Sequence, residues 1–298
     1  MKESIHRYFQ LGTLTWMSFP GKPIEETVRL LAQDEFFDSI ELCHCPDEHA
    51  VETCRQLLSA SHLRVCFGAH PQQLGSGLNP NDLVEEKRLA AQEQLFQAVA
   101  EAAKLGAKEF AFLAGKYTTE TKEQAYEQLL KTTNAVCARA ADFGIEVALE
   151  LFDYDIDKSV LIGPAPLAAR FAADVRCTSK NFGLLVDLSH IPLTHEDPAT
   201  VVSTTHAYIT HLHYGNAVLQ KNCAAYGDKH PRFAFPNSVN DVPQMLDYLK
   251  ALHSNGLFCA EKPLVLSMEV APQPGEDPAV VLASTKRVLN RAWALLDV

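Results

Sequence analysis

The chain has 298 residues, 47% of them hydrophobic and 21% charged, with a formal net charge of −11. That length suits one α/β domain and that apolar content supplies a core, which excludes a disordered or low-complexity chain. The acidic balance speaks against a partner built on phosphate backbones. No apolar run reaches the roughly 18 residues of a bilayer span, and no signal-like apolar core opens the sequence, so a cytoplasmic protein with neither nucleic-acid nor membrane partners is expected.

Short apolar runs alternate with longer amphipathic ones. Residues 8–14 read as a strand and 24–32 as a helix, 37–42 and 48–59 repeat the pair, and 63–69 adds a third strand. A long helix follows over 82–105, with Leu83, Leu89, Leu95, Ala98 and Ala102 at helical spacing. Strand 109–114 and helix 122–143 come next, then strand 145–151 with helix 164–173, and strand 182–188 with helix 199–207. Strand 209–213 with helix 242–253 and strand 264–270 with helix 277–296 complete the series. Gly106, Gly144 and Gly256 stand where helix-ending glycines belong, and Pro164 and Pro243 lie near helix starts. Eight strands alternating with eight helices imply a parallel sheet with helical crossovers. No glycine-rich turn follows the first strand, as a doubly wound dinucleotide fold would require. The expected fold is therefore α/β, a (β/α)8 TIM barrel spanning 1–298 as a single domain. Long loops at 70–81 and 214–240 leave strand C-terminal ends, where barrels build their sites. The eight cysteines are scattered, and Cys43-His44-Cys45 suits neither a disulfide hairpin nor a zinc knuckle, so reduced thiols are expected.

Four successive strands end in an acid or an imidazole. Glu150 closes the fifth, Asp187 the sixth, His213 the seventh and Glu269 the eighth, each after an apolar run. Neighbouring strands lie about 4.8 Å apart, so the four side chains can meet at one point. Three carboxylates there would repel one another without a cation. The expected site is a divalent-metal centre of Glu150, Asp187, His213 and Glu269. Its oxygen-rich ligation with one imidazole suits Mn2+, Mg2+ or Co2+ better than a thiol-rich zinc site would.

His211 shares a strand face with His213 one layer deeper, where a buried histidine that orients a carboxylate is expected. His190, three residues past Asp187, is expected to touch substrate. His70 and His230, in the two long loops, are expected to line the same pocket. His44 and Lys116 are weaker candidates for that pocket, and a solvated state is the expectation for Lys116. Asp153 and Asp155 read as a short, wet acidic loop.

Several of these pieces carry a family resemblance. They are Leu149-Glu150, Val186-Asp187-Leu188-Ser189-His190, His211-Leu212-His213 and Met268-Glu269-Val270, with the second-strand pattern FFDSIEL and the turn Leu105-Gly106-Ala107. The chain resembles the sugar phosphate isomerase/epimerase superfamily of xylose-isomerase-like barrels. It is most similar to the ketose 3-epimerase, hydroxypyruvate isomerase and inosose dehydratase branches. The resemblance covers nearly the whole chain. It implies Mn2+ or a similar ion on Glu150, Asp187, His213 and Glu269, with the two glutamates shuttling a proton. Dimers and tetramers are common in such a family, so the resemblance allows a homo-oligomer, although no interface signature marks the sequence. There is one departure. The resembled 3-epimerases carry an Arg six residues beyond the metal His and then a Pro-Gly-x-Gly turn. This chain has Leu219 at that offset, no such turn, and a longer loop containing Ala225-Tyr226-Gly227-Asp228-Lys229-His230-Pro231.

The expected activity is that of a divalent-metal-dependent isomerase or epimerase acting on a keto-sugar or related polyol. Glu150 and Glu269 would move the proton through a metal-stabilised enediolate, with His190 holding a substrate hydroxyl or oxyanion. The alternative on the same platform is a lyase, either an inosose-type dehydratase or an enzyme cleaving an oxidised glycoside. A non-catalytic sugar-binding protein is the alternative of another class. The endonuclease branch of the superfamily needs extra histidine ligands and a basic face, and the acidic charge argues against it.

Overall fold

All eight strands form within two residues of their expected bounds in the computed structural model, which describes residues 3–297. β1 (Phe9–Thr13) leads through the short α1 (Thr15–Ser18) and α2 (Ile24–Ala32) to β2 (Ser39–Leu42). α3 (Glu48–Ser61) precedes β3 (Arg64–Gly68), and α4 (His70–Ser76) with α5 (Glu85–Lys104) precedes β4 (Glu109–Leu113). α6 (Lys122–Ala141), β5 (Glu146–Glu150), α7 (Ala165–Arg176), β6 (Phe182–Asp187) and α8 (Pro198–Thr205) continue the alternation. β7 (Ile209–Gly215), α9 (Val242–Ser254), β8 (Leu264–Glu269) and α10 (Pro278–Leu295) complete it.

The strands are parallel and ordered β1-β8-β7-β6-β5-β4-β3-β2. β1 and β2 meet through the bridge between Leu14 and Glu41 and through the Asp38 N–H donating to the Leu11 carbonyl at 2.8 Å. The result is a nearly closed TIM barrel.

Period-two alternation sorts the side chains. Phe9, Leu11, Phe67, Phe110, Phe112, Leu149, Leu212 and Leu266 are completely buried and belong to the large hydrophobic cluster that lies between sheet and helices. Each such side chain stabilises the fold by about 1.5–3 kcal/mol relative to its exposed state. The alternate positions face the barrel axis and are mostly small or polar. Ala111, Ala148 and Leu185 form a separate small apolar cluster, and Glu41, Glu109, His211 and His213 are buried polar neighbours in the same interior. The apolar core is thus a ring around a polar axis.

The helix ends follow the local chemistry. Asp47 accepts from the Ala50 N–H at 2.8 Å, and Asp277 accepts from Ala279 and Val280. Gly106 (φ +80°) and Gly144 (φ +65°) adopt the left-handed conformation that ends a helix.

Two expectations are corrected. The stretch 70–81 is not all loop: α4 occupies its first part, with Pro71 in the first turn and Gly77 (φ +68°) closing it. The acidic loop after β5 is not simply wet. Asp153 is fully buried, and its carboxylate accepts from the N–H groups of Ile156, Asp157, Lys158 and Ser159 at 2.8–3.1 Å. Asp155 does face solvent, paired with His195 at 3.1 Å. All eight cysteines are free thiols. Among the described residues, no helix is long and apolar enough to cross a membrane.

Candidate metal centre

Strands β5 to β8 are consecutive around the ring, and their ends carry Glu150, Asp187, His213 and Glu269. The register sets Asp187 level with His213, and Gly215 level with Glu269. One donor atom from each of the four residues lies within 4.8 Å of every other. None of the four is more than 5% exposed. The four residues expected from the sequence are therefore brought together.

Their hydrogen bonding is incomplete without a cation. Asp187 is anchored by the Ser189 N–H at 2.9 Å and by the Ser189 hydroxyl. Glu150 Oε2 lies 2.9 Å from His70 Nε2, and Glu150 Oε1 lies 3.3 Å from His190 Nδ1. Neither contact has hydrogen-bond geometry, so Glu150 Oε1 and His70 Nε2 are buried polar atoms without a partner. Such orphans are rare and call for an explanation. Burial pushes the Asp187 carboxyl above its ordinary range and Glu269 adds to this, against the pull of His190, His230 and His213. Burial works against a charged His213, but Glu41 and Glu269 outweigh it and hold its pKa well above the usual value. Three carboxylates, one imidazole and two unsatisfied buried atoms fit a divalent ion with oxygen-rich ligation.

A second group adjoins the first. Asp187, His190 and His230 also satisfy the geometry for holding an ion. His190 Nδ1 donates to the Leu151 carbonyl at 2.8 Å, and the ring packs on Phe152 at 4.2 Å. That leaves His190 Nε2 facing Asp228 Oδ1 at 3.0 Å and Asp187 Oδ2 at 3.6 Å. His230 Nε2 lies 2.5 Å from the same Asp228 oxygen, and Lys158 Nζ lies 2.7 Å from the other. Burial opposes protonation of both rings, but the surrounding carboxylates prevail: His190 is raised well above its ordinary value and His230 to about 9. The same contacts hold Asp228 far below the usual carboxylate range despite its burial.

Of the other sequence candidates, His70 joins the cluster through Glu150. His211 lies a layer deeper between Glu41 and Glu109, at 2.9 and 3.1 Å, hydrogen-bonded to both carboxylates. His44 does not reach the site: it is half-exposed and pairs with Glu101 on α5 at 2.6 Å. Lys116 lines a groove of about 550 Å³ between the loops that follow β3, β4 and β5, together with Gln73, Asn79, Leu113, Lys158 and Val160. The Gln73 amide ties that groove's wall to the Leu113 backbone in both directions, at 3.2 and 3.0 Å. The four metal-type ligands do not line it, but Lys158 links it to Asp228.

Two site residues escaped the sequence reading. Asp228 stands two residues before His230, an acid–x–His spacing inside the loop that departs from the resembled pattern. Glu41 is a carboxylate inside the short strand run Ser39-Ile40-Glu41-Leu42, where a charge has no reason to be buried unless something pairs with it.

The sequence model described as a xylose isomerase-like TIM barrel matches residues 30–277. No curated protein matches the chain. Among solved structures it is similar to a D-tagatose 3-epimerase-like protein, at 18% identity and a TM-score of 0.72, over 95% of this chain and 98% of that one. It is similar to an L-ribulose 3-epimerase at 16% identity and a TM-score of 0.73, over 95% of both chains. It is also similar to a 3-keto-D-glucoside 4-epimerase from E. coli, at 17% identity and a TM-score of 0.69, over 96% and 99%. At these identities the likeness is one of fold.

Proposed function

This chain belongs to the xylose isomerase-like TIM barrel family, and from that premise we propose that it is a divalent-metal-dependent isomerase or epimerase of a keto-sugar or related polyol. The observation that carries the proposal is the buried meeting of Glu150, Asp187, His213 and Glu269 from four successive strand ends. The fold likeness to sugar epimerases supports it. Mn2+ is the proposed ion, with Co2+ or Mg2+ as alternatives.

Bound there, a divalent cation supplies Lewis acidity to a carbonyl oxygen and a neighbouring hydroxyl. The proton work falls to the chain itself. Glu150 rises from β5 and Glu269 from β8, so the two carboxylates flank the positions set by Asp187 and His213. One takes the proton from the carbon beside the carbonyl, and the electron pair of the broken C–H bond becomes the second bond of an enediolate. The other returns a proton to the opposite face of that carbon, or to its neighbour. Asp187, fixed by Ser189, keeps its charge facing the cluster. His70, His190 and His230 surround the carboxylates and are assigned to substrate hydroxyls. The burial of all these groups keeps water from the carbanion.

The test is incubation of the Mn2+-loaded protein with ketoses, inososes and 3-keto-glycosides in deuterated water. The expected product carries deuterium beside the carbonyl and otherwise keeps the substrate's mass. Loss of water identifies a dehydratase, and release of an aglycone identifies a glycoside-cleaving lyase. No exchange and no conversion with any of these would reduce the protein to a sugar binder and sink the proposal.

One observation favours a second reading. Asp187 belongs to both groups compact enough to hold an ion; were both filled, two ions would share its carboxylate, an arrangement suited to metal-assisted ester hydrolysis. Two ions per chain together with hydrolysis of bis(p-nitrophenyl) phosphate would favour this reading. Deuterium exchange into a sugar without hydrolysis would favour the first.

A further inference from the structure

We infer that Glu41 is a positioning residue for the metal centre: held from below by His211, its carboxylate sets the His213 ring so that Nδ1, and not Nε2, faces Glu150, Asp187 and Glu269. The inference rests on the metal-centre reading above and extends it into the barrel's interior.

Glu41 stands on β2, on the opposite side of the ring from the ligand-bearing strands, and is 1% exposed. Its Oε1 lies 2.9 Å from His213 Nε2 and 2.9 Å from His211 Nε2. The other nitrogen of His213, Nδ1, lies 2.7 Å from Glu269 Oε2 and 3.8 Å from Glu150 Oε1. A neutral imidazole carries one N–H and one lone pair, and an ionised carboxylate only accepts. Glu41 therefore holds the proton at Nε2, so an ion that displaces the Nδ1 proton facing Glu269 meets the Nδ1 lone pair. The same contact raises the ring's basicity as a ligand.

A lone buried carboxylate would be too costly to serve this role. His211 supplies the compensation. Its Nε2 donates to Glu41 and its Nδ1 to Glu109 Oε2 at 3.1 Å. Both nitrogens meet acceptor-only oxygens, so the ring is an imidazolium. Arg64 lies 3.5 Å from Glu109 at the entry of β3 and completes the column. From Arg64 through Glu109, His211 and Glu41 to His213, positive and negative groups alternate along the barrel interior.

Two three-residue sets in this column, Glu41–His211–His213 and Cys66–Glu109–His211, are also compact enough to hold an ion. Hydrogen bonding separates them from the mouth. Within the column, both ring nitrogens of His211 and Nε2 of His213 already face Glu41 or Glu109, and no side-chain atom of Glu41, Glu109 or His211 is orphaned. At the mouth, Glu150 Oε1 and His70 Nε2 lack a partner, whereas in the column only Arg64 Nε does, at the end farthest from His213. The column is a support, and the ion belongs above it.

The test compares Mn2+ binding by the wild-type protein and Glu41→Gln, with circular dichroism as the check on folding. Expected is a native fold with affinity weakened about 10- to 100-fold. Equal affinity in a folded Glu41→Gln overturns the inference while leaving the metal centre standing. A wild-type protein that binds no divalent ion overturns both. Loss of an additional tightly held ion in Glu41→Gln makes Glu41 a ligand and also overturns it. A measurement that needs no variant guards against a misfolded one: long-range 1H–15N correlation of the 15N-histidine protein loaded with Mg2+. Expected are a His213 ring protonated only at Nε2 and a His211 ring protonated at both nitrogens. A His213 ring protonated at Nδ1 overturns the inference.

Discussion

At the scale of single residues, the proposed function gives Asp187 and Glu150 different tasks. Asp187 is locked by Ser189, which suits it to holding an ion. Glu150 keeps an oxygen without a hydrogen-bond partner, as a proton acceptor should. Glu150→Gln and Glu269→Gln are each expected to lower turnover about 10²- to 10⁴-fold at saturating Mn2+. Near-normal turnover in either variant would remove that carboxylate from the chemistry. A pH dependence follows from His213. Without an ion, Glu41 and Glu269 hold its pKa well above the ordinary value, against burial. The group is raised, so the ring keeps its proton through neutral pH and an ion must displace it. Mn2+ affinity is therefore expected to rise with pH through neutrality and to level off only above the raised pKa of the ring, well above the ordinary histidine value. Calorimetric titration in two buffers of different ionisation enthalpy would show the released proton. Affinity independent of pH, with no proton released, would contradict the protonation assigned to His213.

At the scale of elements, the strand ends were legible because each is a polar residue closing an apolar run, and a barrel gives such positions a common destination. The helix ends were legible from Gly106, Gly144 and the prolines. The loops were not, because their order depends on contacts that no period encodes. Asp153 is the clearest case. Its sequence neighbourhood suggests solvent, but its carboxylate gathers four backbone N–H groups and folds the loop after β5 around itself. That loop carries Lys158, which reaches Asp228 in the loop after β7, so one buried acid supports a contact between two mouth loops. Asp153→Ala is expected to destabilise the protein by about 2–4 kcal/mol, the scale of losing several charge-assisted bonds at a buried site. In thermal unfolding this is a fall of several degrees, and an unchanged melting temperature would show that the loop orders itself without Asp153. Asp228 and Glu41 were illegible for a related reason. Each matters through partners far away in sequence: His190 and Lys158 for Asp228, His211 and His213 for Glu41.

At the scale of the whole molecule, the barrel's apolar core is a ring, and its axis is a column of paired charges that ends at the mouth in an excess of carboxylate. The fold class, the eight-strand count and the convergence of Glu150, Asp187, His213 and Glu269 all follow from short apolar runs and their polar ends. The substrate does not, because the groove and the loops around the mouth are set by tertiary contacts. A cation that binds the native mouth and not the unfolded chain should also stabilise the fold, by RT ln(1 + [L]/Kd). The central claim is that the ends of β5 to β8 hold a divalent ion, and it is tested most directly by counting bound Mn2+ per chain in equilibrium dialysis for the wild-type protein and Asp187→Asn. At least one ion per wild-type chain is expected, with that binding lost or sharply weakened in the variant. A wild-type chain that holds no ion, or a folded Asp187→Asn that holds it equally well, would contradict the claim.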